Sequence, residues 1–181
     1  MEKKTTEEIL AESFREVSAK KAVNRITVKD IVSNCGMSPT TFYRYYRDKE
    51  DLIAQIYERK CCEILARYKD SPDWWEETVR EWVDAGVQNR YFLMNLLTNT
   101  SGFESLPKQM SEISVRLVED EILARSGRDS IPEKDHLKFS LHAAGAVRLM
   151  CAWALGKISV TQELVTEIIT ETGAPLVYAL L

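Results

Sequence analysis

Residues 36–52 read GMSPTTFYRYYRDKEDL. The segment places Ser38, Thr40, Thr41, three tyrosines and two arginines just after a glycine, in a 181-residue chain of net charge −4. Ser38 is a helix-capping residue type, and Pro39 follows at the first helical position, where a missing N–H costs nothing. The next cap is Asp48, and the carboxylates of Glu50 and Asp51 after it complement a positive helix start. Upstream, Thr27 opens another short helix in which Val28, Ile31, Val32 and Cys35 fall at i, i+3, i+4 and i+7. That helix stops at Gly36, where a residue free to take positive φ suits a tight turn.

Two short helices joined by a glycine-led turn outline a helix-turn-helix, whose second helix enters the major groove of DNA. The residue types fit that use. Thr40, Thr41, Tyr43, Arg44 and Tyr45 carry groups suited to phosphates or base edges, while Phe42 and Tyr46, four apart, anchor the helix on its neighbours. Lys29 and Lys49 flank this face with positive charge. Aromatics at helical spacing alone would signify only a core; the cap, the turn and the basic flanks in register favour a DNA reader. Charge points the same way: residues 1–50 hold ten Lys/Arg against eight Asp/Glu, and residues 51–181 hold fourteen against twenty.

The stretch ITVKDIVSNCGMSPTTFYRYYRDKEDLI, residues 26–53, resembles the N-terminal DNA-binding domain of the TetR family of bacterial transcriptional regulators. The shared motifs are the Thr-led second helix, the Gly-Met-Ser turn, the Thr-aromatic-Tyr recognition helix and the Asp-Lys-Glu-x-Leu start of the fourth helix, over about residues 5–60. The resemblance implies that Thr27, Ser38, Thr41, Tyr43 and Lys49 contact phosphates, and that Lys29, Pro39, Thr40 and Arg44 face base edges or groove walls. Pro39 departs from the polar residue many members carry, and Tyr46 replaces a usual Phe.

The remaining chain repeats its apolar residues at helical spacing, which predicts an all-α protein of about nine helices. TTEE at 5–8 fits a capping box, ahead of a stripe of Leu10, Phe14 and Val17 in a helix ending near Lys21. Helix four runs to about Lys69, and DSPDWWEE at 70–77 is a linker with Asp73 as the next cap. Later stripes are Trp75, Val79, Trp82 and Gly86; Met110, Ile113 and Leu117; Phe139, His142, Ala146, Leu149 and Trp153; and Leu164, Ile168 and Leu176. Pro175 is expected to kink or break the last helix. The expected division is a helix-turn-helix domain over 1–48, extending to about 63 as a family-type domain, and a second helical domain over 49–181.

In the resembled family the second domain binds an effector and forms the dimer. Trp82, Phe92, Met110, His142 and Met150 are the candidates for an effector pocket, with Trp74, Trp75, Tyr91 and Phe103 as further large side chains. Phe139, Ala146, Leu149, Trp153, Leu164 and Ile168 are the candidates for the dimer interface. The expected function is a ligand-responsive repressor reading a palindromic operator as a homodimer. An activator, or a regulator controlled by a protein partner, is the alternative. No nucleophile elbow, phosphate loop or dinucleotide turn argues for an enzyme, and no cofactor or metal is expected from two histidines and four scattered cysteines. Neither a membrane span nor a signal peptide is apparent, so a cytoplasmic location is expected.

Overall fold

The computed structural model describes residues 4–99 and 105–181, and the helices below lie among them. The first, α1, spans Thr6–Ser18; Thr5 Oγ1 accepts from the Glu8 amide at 3.2 Å, and Glu8 Oε2 accepts from the Thr5 amide at 2.7 Å. The helix ends at Ser18, three residues before the expected Lys21, with Ala19 as its C-cap, and a 3₁₀ turn over Val23–Arg25 follows. Next come α2, Val28–Asn34, and α3, Pro39–Tyr45, capped by Thr27 and Ser38. Helix α4, Lys49–Arg67, is capped by Asp48, whose Oδ1 accepts from the Asp51 amide at 2.7 Å.

Burial explains the arrangement of these four helices. Leu10 and Phe14 of α1, Ile31 and Val32 of α2, Phe42 of α3 and Leu52 of α4 all converge on one core. Side chains of that kind contribute about 1.5–3 kcal/mol each on full burial, so short helices without intrinsic stability are held by packing.

The second part contains α5, Trp74–Gln88; α6, Arg90–Asn99; α7, Ser105–Ser126; α8, Glu133–Ala154; and α9, Gln162–Tyr178. Its own core includes Trp74, Val83, Ile122, Val165 and Val177. Helix α5 lies on α9, where Trp75 Nε1 donates to the Thr170 carbonyl at 3.1 Å and Tyr178 Oη donates to Glu76 Oε2 at 2.6 Å. The two parts are stapled by Asn95 on α6, whose Nδ2 donates to the carbonyls of Ser18 and Lys21 and whose Oδ1 accepts from the Val23 amide. The first core accordingly continues onto Leu96, Leu97, Val147 and Cys151.

Three local expectations are corrected. Asp73 stands before α5 without a side-chain capping bond. In α7 the deeply buried residues include Leu106, Met110, Val115 and Ile122, because α4 and α8 approach it from two sides, and Ile113 and Leu117 are only partly covered. Helix α9 continues through Pro175 to Tyr178. Pro175 and Glu171, whose carbonyl it frees, are both exposed, so water can take the lost hydrogen bond. Among the described residues no helix is long and apolar enough to cross a membrane, and no cluster of metal-ligating side chains occurs. Phe103 lies outside the described residues.

Candidate nucleic-acid interface and internal cavities

The turn between α2 and α3 begins at Gly36, with φ +70°. The Met37 amide donates to the Val32 carbonyl at 2.8 Å, which satisfies a terminal carbonyl of α2 and swings the chain into α3. Ser38 Oγ accepts from the Thr41 amide at 3.1 Å and lies 3.0 Å from Thr41 Oγ1. The inner face of α3 is Phe42 and Tyr46, with ring centroids 5.5 Å apart. Tyr46 is buried like the Phe it replaces, and its hydroxyl donates to the Glu7 carbonyl at 3.3 Å.

With that face occupied, α3 turns Pro39, Thr40, Tyr43 and Arg44 outward, and Lys29 on α2 is exposed as well. Tyr43 is 60% exposed and rests edge-on against Phe42 at 5.5 Å, so packing orients an otherwise free phenol. Other expected members of the set are engaged within the chain. Thr27 Oγ1 accepts from the Asp30 amide and donates to Asp30 Oδ2 at 2.7 Å. Lys21 at 2.7 Å and the Thr27 bonds hold the Asp30 carboxyl well below the usual range, so this capping box stays ionised. Tyr45 is half-buried against the first core rather than facing outward, because it follows Phe42 by three positions on the same side. Lys49 Nζ donates to the carbonyls of Val23 at 2.8 Å and Ile26 at 3.2 Å, which fastens α4 to the 3₁₀ turn. Arg47, absent from the expected set, is exposed just beyond α3; its place among the basic residues of the opening stretch is the signal that marks it.

Two cavities lie behind this domain. The C-terminal cavity, about 90 Å³, is bounded by side chains including Ile64, Val79, Phe139, His142 and Ile169. The boundary cavity, about 110 Å³, is bounded by Ile53 of α4 together with Phe92, Met110 and Met150. Trp82 and Cys61 border both. The Trp82 indole donates to Tyr57 Oη at 3.2 Å, and that oxygen lies 2.8 Å from Ser114 Oγ, so the partition is a fixed polar tie in an apolar interior. The Cys61 thiol, which burial pushes up to about 12, is no thiolate at neutral pH.

His142 packs beside Trp75 with ring centroids 5.8 Å apart and has its Nδ1 3.3 Å from Thr172 Oγ1. Gly173 admits both rings, since a Cβ there would overlap Trp75 and come within 2.8 Å of His142 Nε2. Burial lowers the His142 pKa below the ordinary 6.5, so the ring is neutral.

The outer face of α8 and α9 differs from the expected stripe. Phe139 is 4% exposed and belongs to the core. Ala146 lines the C-terminal cavity, Leu149 is half-buried, and the half-buried Trp153 donates its indole N–H to the Val160 carbonyl at 3.1 Å, closing the α8–α9 loop. The exposed apolar residues include Leu137, Leu141, Leu164 and Ile168. Leu137 and Leu141 stand four apart on α8, and no signal in the sequence separates them from the inner stripe because α8 is apolar on both sides.

A helix-turn-helix on an all-α scaffold, its second helix offering polar and basic groups, defines a DNA-binding regulator. Residues 6–56 match the family described as bacterial regulatory proteins, tetR family. That N-terminal domain is of the tetR-family type, and the chain as a whole shares its fold with solved TetR-family regulators. It is 26% identical over 101 residues to the HTH-type dhaKLM operon transcriptional activator DhaS of Lactococcus lactis subsp. lactis strain IL1403, over 55% of this chain and 52% of that one. It is 36% identical over 61 residues to the uncharacterized HTH-type transcriptional regulator YxbF of Bacillus subtilis strain 168, over 33% of this chain and 16% of that one. The chain thus spans about half of the first relative and about a sixth of the second. Among solved structures, a TetR transcriptional regulator from Rhodococcus sp. RHA1 has TM-score 0.69 at 16% identity, over 94% of this chain and 96% of that one. The dihydroxyacetone kinase operon activator DhaS has TM-score 0.59 at 18% identity, over 97% and 96%; both structures share the fold.

Proposed function

We propose that the protein is a homodimeric, ligand-responsive repressor that reads a palindromic operator with α3. The observation that carries this reading is the outward set of Pro39, Thr40, Tyr43 and Arg44, displayed by a helix whose other face is locked into the core, with Lys29 of α2 exposed as well. Arg44 and Lys29 suit base edges or groove walls, and Tyr43, Ser38 and Thr41 suit phosphates. Pro39 contributes a wall without a hydrogen bond. One α3 spans too few base pairs for a unique site, and a two-fold dimer doubles the reading. The apolar Leu137, Leu141, Leu164 and Ile168 support a second copy against α8 and α9.

Trp82, Phe92, Met110, His142 and Met150 all border one or other cavity, which supports an effector in this region. An effector shifts the spacing of two recognition helices only by its difference in affinity for the two states. A second reading is favoured by the relative DhaS, which is named an activator: the same DNA-bound dimer then promotes transcription. The cytoplasm is the location that suits either reading.

The test is a mobility shift on the DNA upstream of the protein's own gene, with rising salt and a random duplex as competitor. Preferential retention of the upstream fragment is expected. Failure to retain any duplex at low salt removes the reading, and transcription from that promoter with and without the protein decides between repression and activation.

A further inference from the structure

Arg15 is the charged residue of α1 that reaches the junction of the two cores. Its Nη1 donates to Asn89 Oδ1 at 3.2 Å, and its guanidinium carbon lies 5.1 Å from the centre of the Phe92 ring. Asn89 is oriented in turn, because its Nδ2 donates to the Ala85 carbonyl at 2.8 Å and so directs the amide oxygen at Arg15. Among the described residues, none of the ion pairs involves Arg15. A guanidinium presents five N–H donors in a fork that matches a carboxylate, and one neutral amide oxygen leaves most of them available.

The surroundings are those of a portal. Arg15, Ile56 and Lys60 border the boundary cavity and also the surface groove between α1 and α4. Lys60 is loosely paired, 3.8 Å from both Glu63 and Glu81. Arg15 and Lys60 therefore stand where a groove that also carries Glu8, Glu12, Glu63, Lys4 and Arg59 meets an apolar interior, and of these charged groups Arg15 and Lys60 also border the cavity itself. Behind them the walls include Leu93 and the unbranched thioethers Met110 and Met150. The Met150 methyl occupies the space beside Gly86, where a Cβ would come within 2.5 Å of it, so rotation of one flexible side chain enlarges the cavity.

We propose that the boundary cavity binds a small monoanionic amphiphile, a carboxylate on a short alkyl or aryl body. Its carboxylate takes the place of the Asn89 oxygen on Arg15, and its apolar part lies among Phe92, Met110 and Met150. The proposal deepens the ligand-responsive reading above and rests on it for its regulatory consequence. That consequence runs through α1. Ser13, two residues before Arg15, donates its hydroxyl to the Ile31 carbonyl at 2.6 Å and accepts from Asn34 Nδ2 at 3.1 Å, so α1 carries α2. Phe14 packs edge-on against Phe92 at 5.9 Å. Drawing Arg15 off Phe92 and Asn89 changes the seat of α1 on α6, and with it the position of the α2–α3 pair.

Calorimetric titration of the full chain with octanoate, benzoate and the uncharged octanamide tests the site. Octanoate is expected to bind once per chain, at least about tenfold more tightly than octanamide. Arg15→Gln, which removes the charge, and Asn89→Asp, which supplies a competing carboxylate in place, are each expected to bring octanoate down to the octanamide level; melting curves verify that both variants fold. Equal affinity for acid and amide in the natural chain, binding of neither acid, or an undiminished preference in both variants overturns the proposal. Mobility shifts on the same samples separate the two ideas. Octanoate that binds as expected but leaves the DNA complex intact upholds the site and counts against ligand-responsive control. Release of DNA by another metabolite, with no carboxylate bound, removes the site and upholds that control.

Discussion

The Lys49 ammonium donates to the Val23 carbonyl at 2.8 Å, joining the first residue of α4 to the 3₁₀ turn that precedes α2. A second bond reaches the Ile26 carbonyl, so the charge serves the domain's own geometry before it serves DNA. Lys49→Met is therefore expected to lower stability by about 1–2 kcal/mol in urea denaturation. The salt dependence of DNA binding should change by less than the roughly one unit that a full phosphate contact carries. A normal urea midpoint with a clear loss of salt slope would return Lys49 to a purely phosphate-binding role.

Arg44 has the opposite character, being exposed and unburdened by the fold. Arg44→Ala is expected to cost about 1–3 kcal/mol on the protein's own operator and little on random duplex. Competition titrations measure the ratio; an unchanged preference means that the base reading lies elsewhere on α3.

Gly36→Ala isolates a conformational cost. A Cβ at this position meets nothing within 4 Å, yet the backbone holds φ +70°. The replacement should destabilise the domain by about 1–2 kcal/mol through the left-handed conformation alone. Thermal melts that match the natural chain would show that the turn can relax.

His142 makes stability depend on pH. Burial keeps its folded pKa below the ordinary 6.5, so the unfolded chain takes up a proton first. The contribution is complete above about pH 6.5 and is lost as pH falls through the lower folded value. Natural chain and His142→Gln should therefore diverge in urea midpoint between about pH 7 and 5, with the natural chain falling more steeply. Parallel profiles would assign the pH dependence to other groups.

Leu141 is 78% exposed, so Leu141→Glu leaves the monomer core intact. It is expected to convert a dimer to monomers in sedimentation at micromolar concentration and to weaken operator binding. A dimer that survives this charge uses a different face.

The division between what sequence and structure each supply follows interaction range. Caps, the Gly36 turn and the inner pair Phe42 and Tyr46 were legible because they depend on residues within a few positions of one another. The same locality made the helix-turn-helix and its family recognisable from 26–53 alone. Stripes in α7 and α8 were misassigned because helices apolar on several sides carry no period that says which side meets which neighbour. Only packing placed Phe139 inside and Leu141 outside.

By itself, then, the sequence determined an all-α chain, the starts of its first four helices and the helix-turn-helix that α2 and α3 form, since capping and amphipathic spacing are local. Tertiary structure alone decided that Lys49 clasps the 3₁₀ turn, that Tyr45 leans inward and that Arg15 of α1 reaches a cavity built from later helices. Those facts join residues far apart in the chain, and only packing brings them together: Arg15 meets Asn89 across 74 positions.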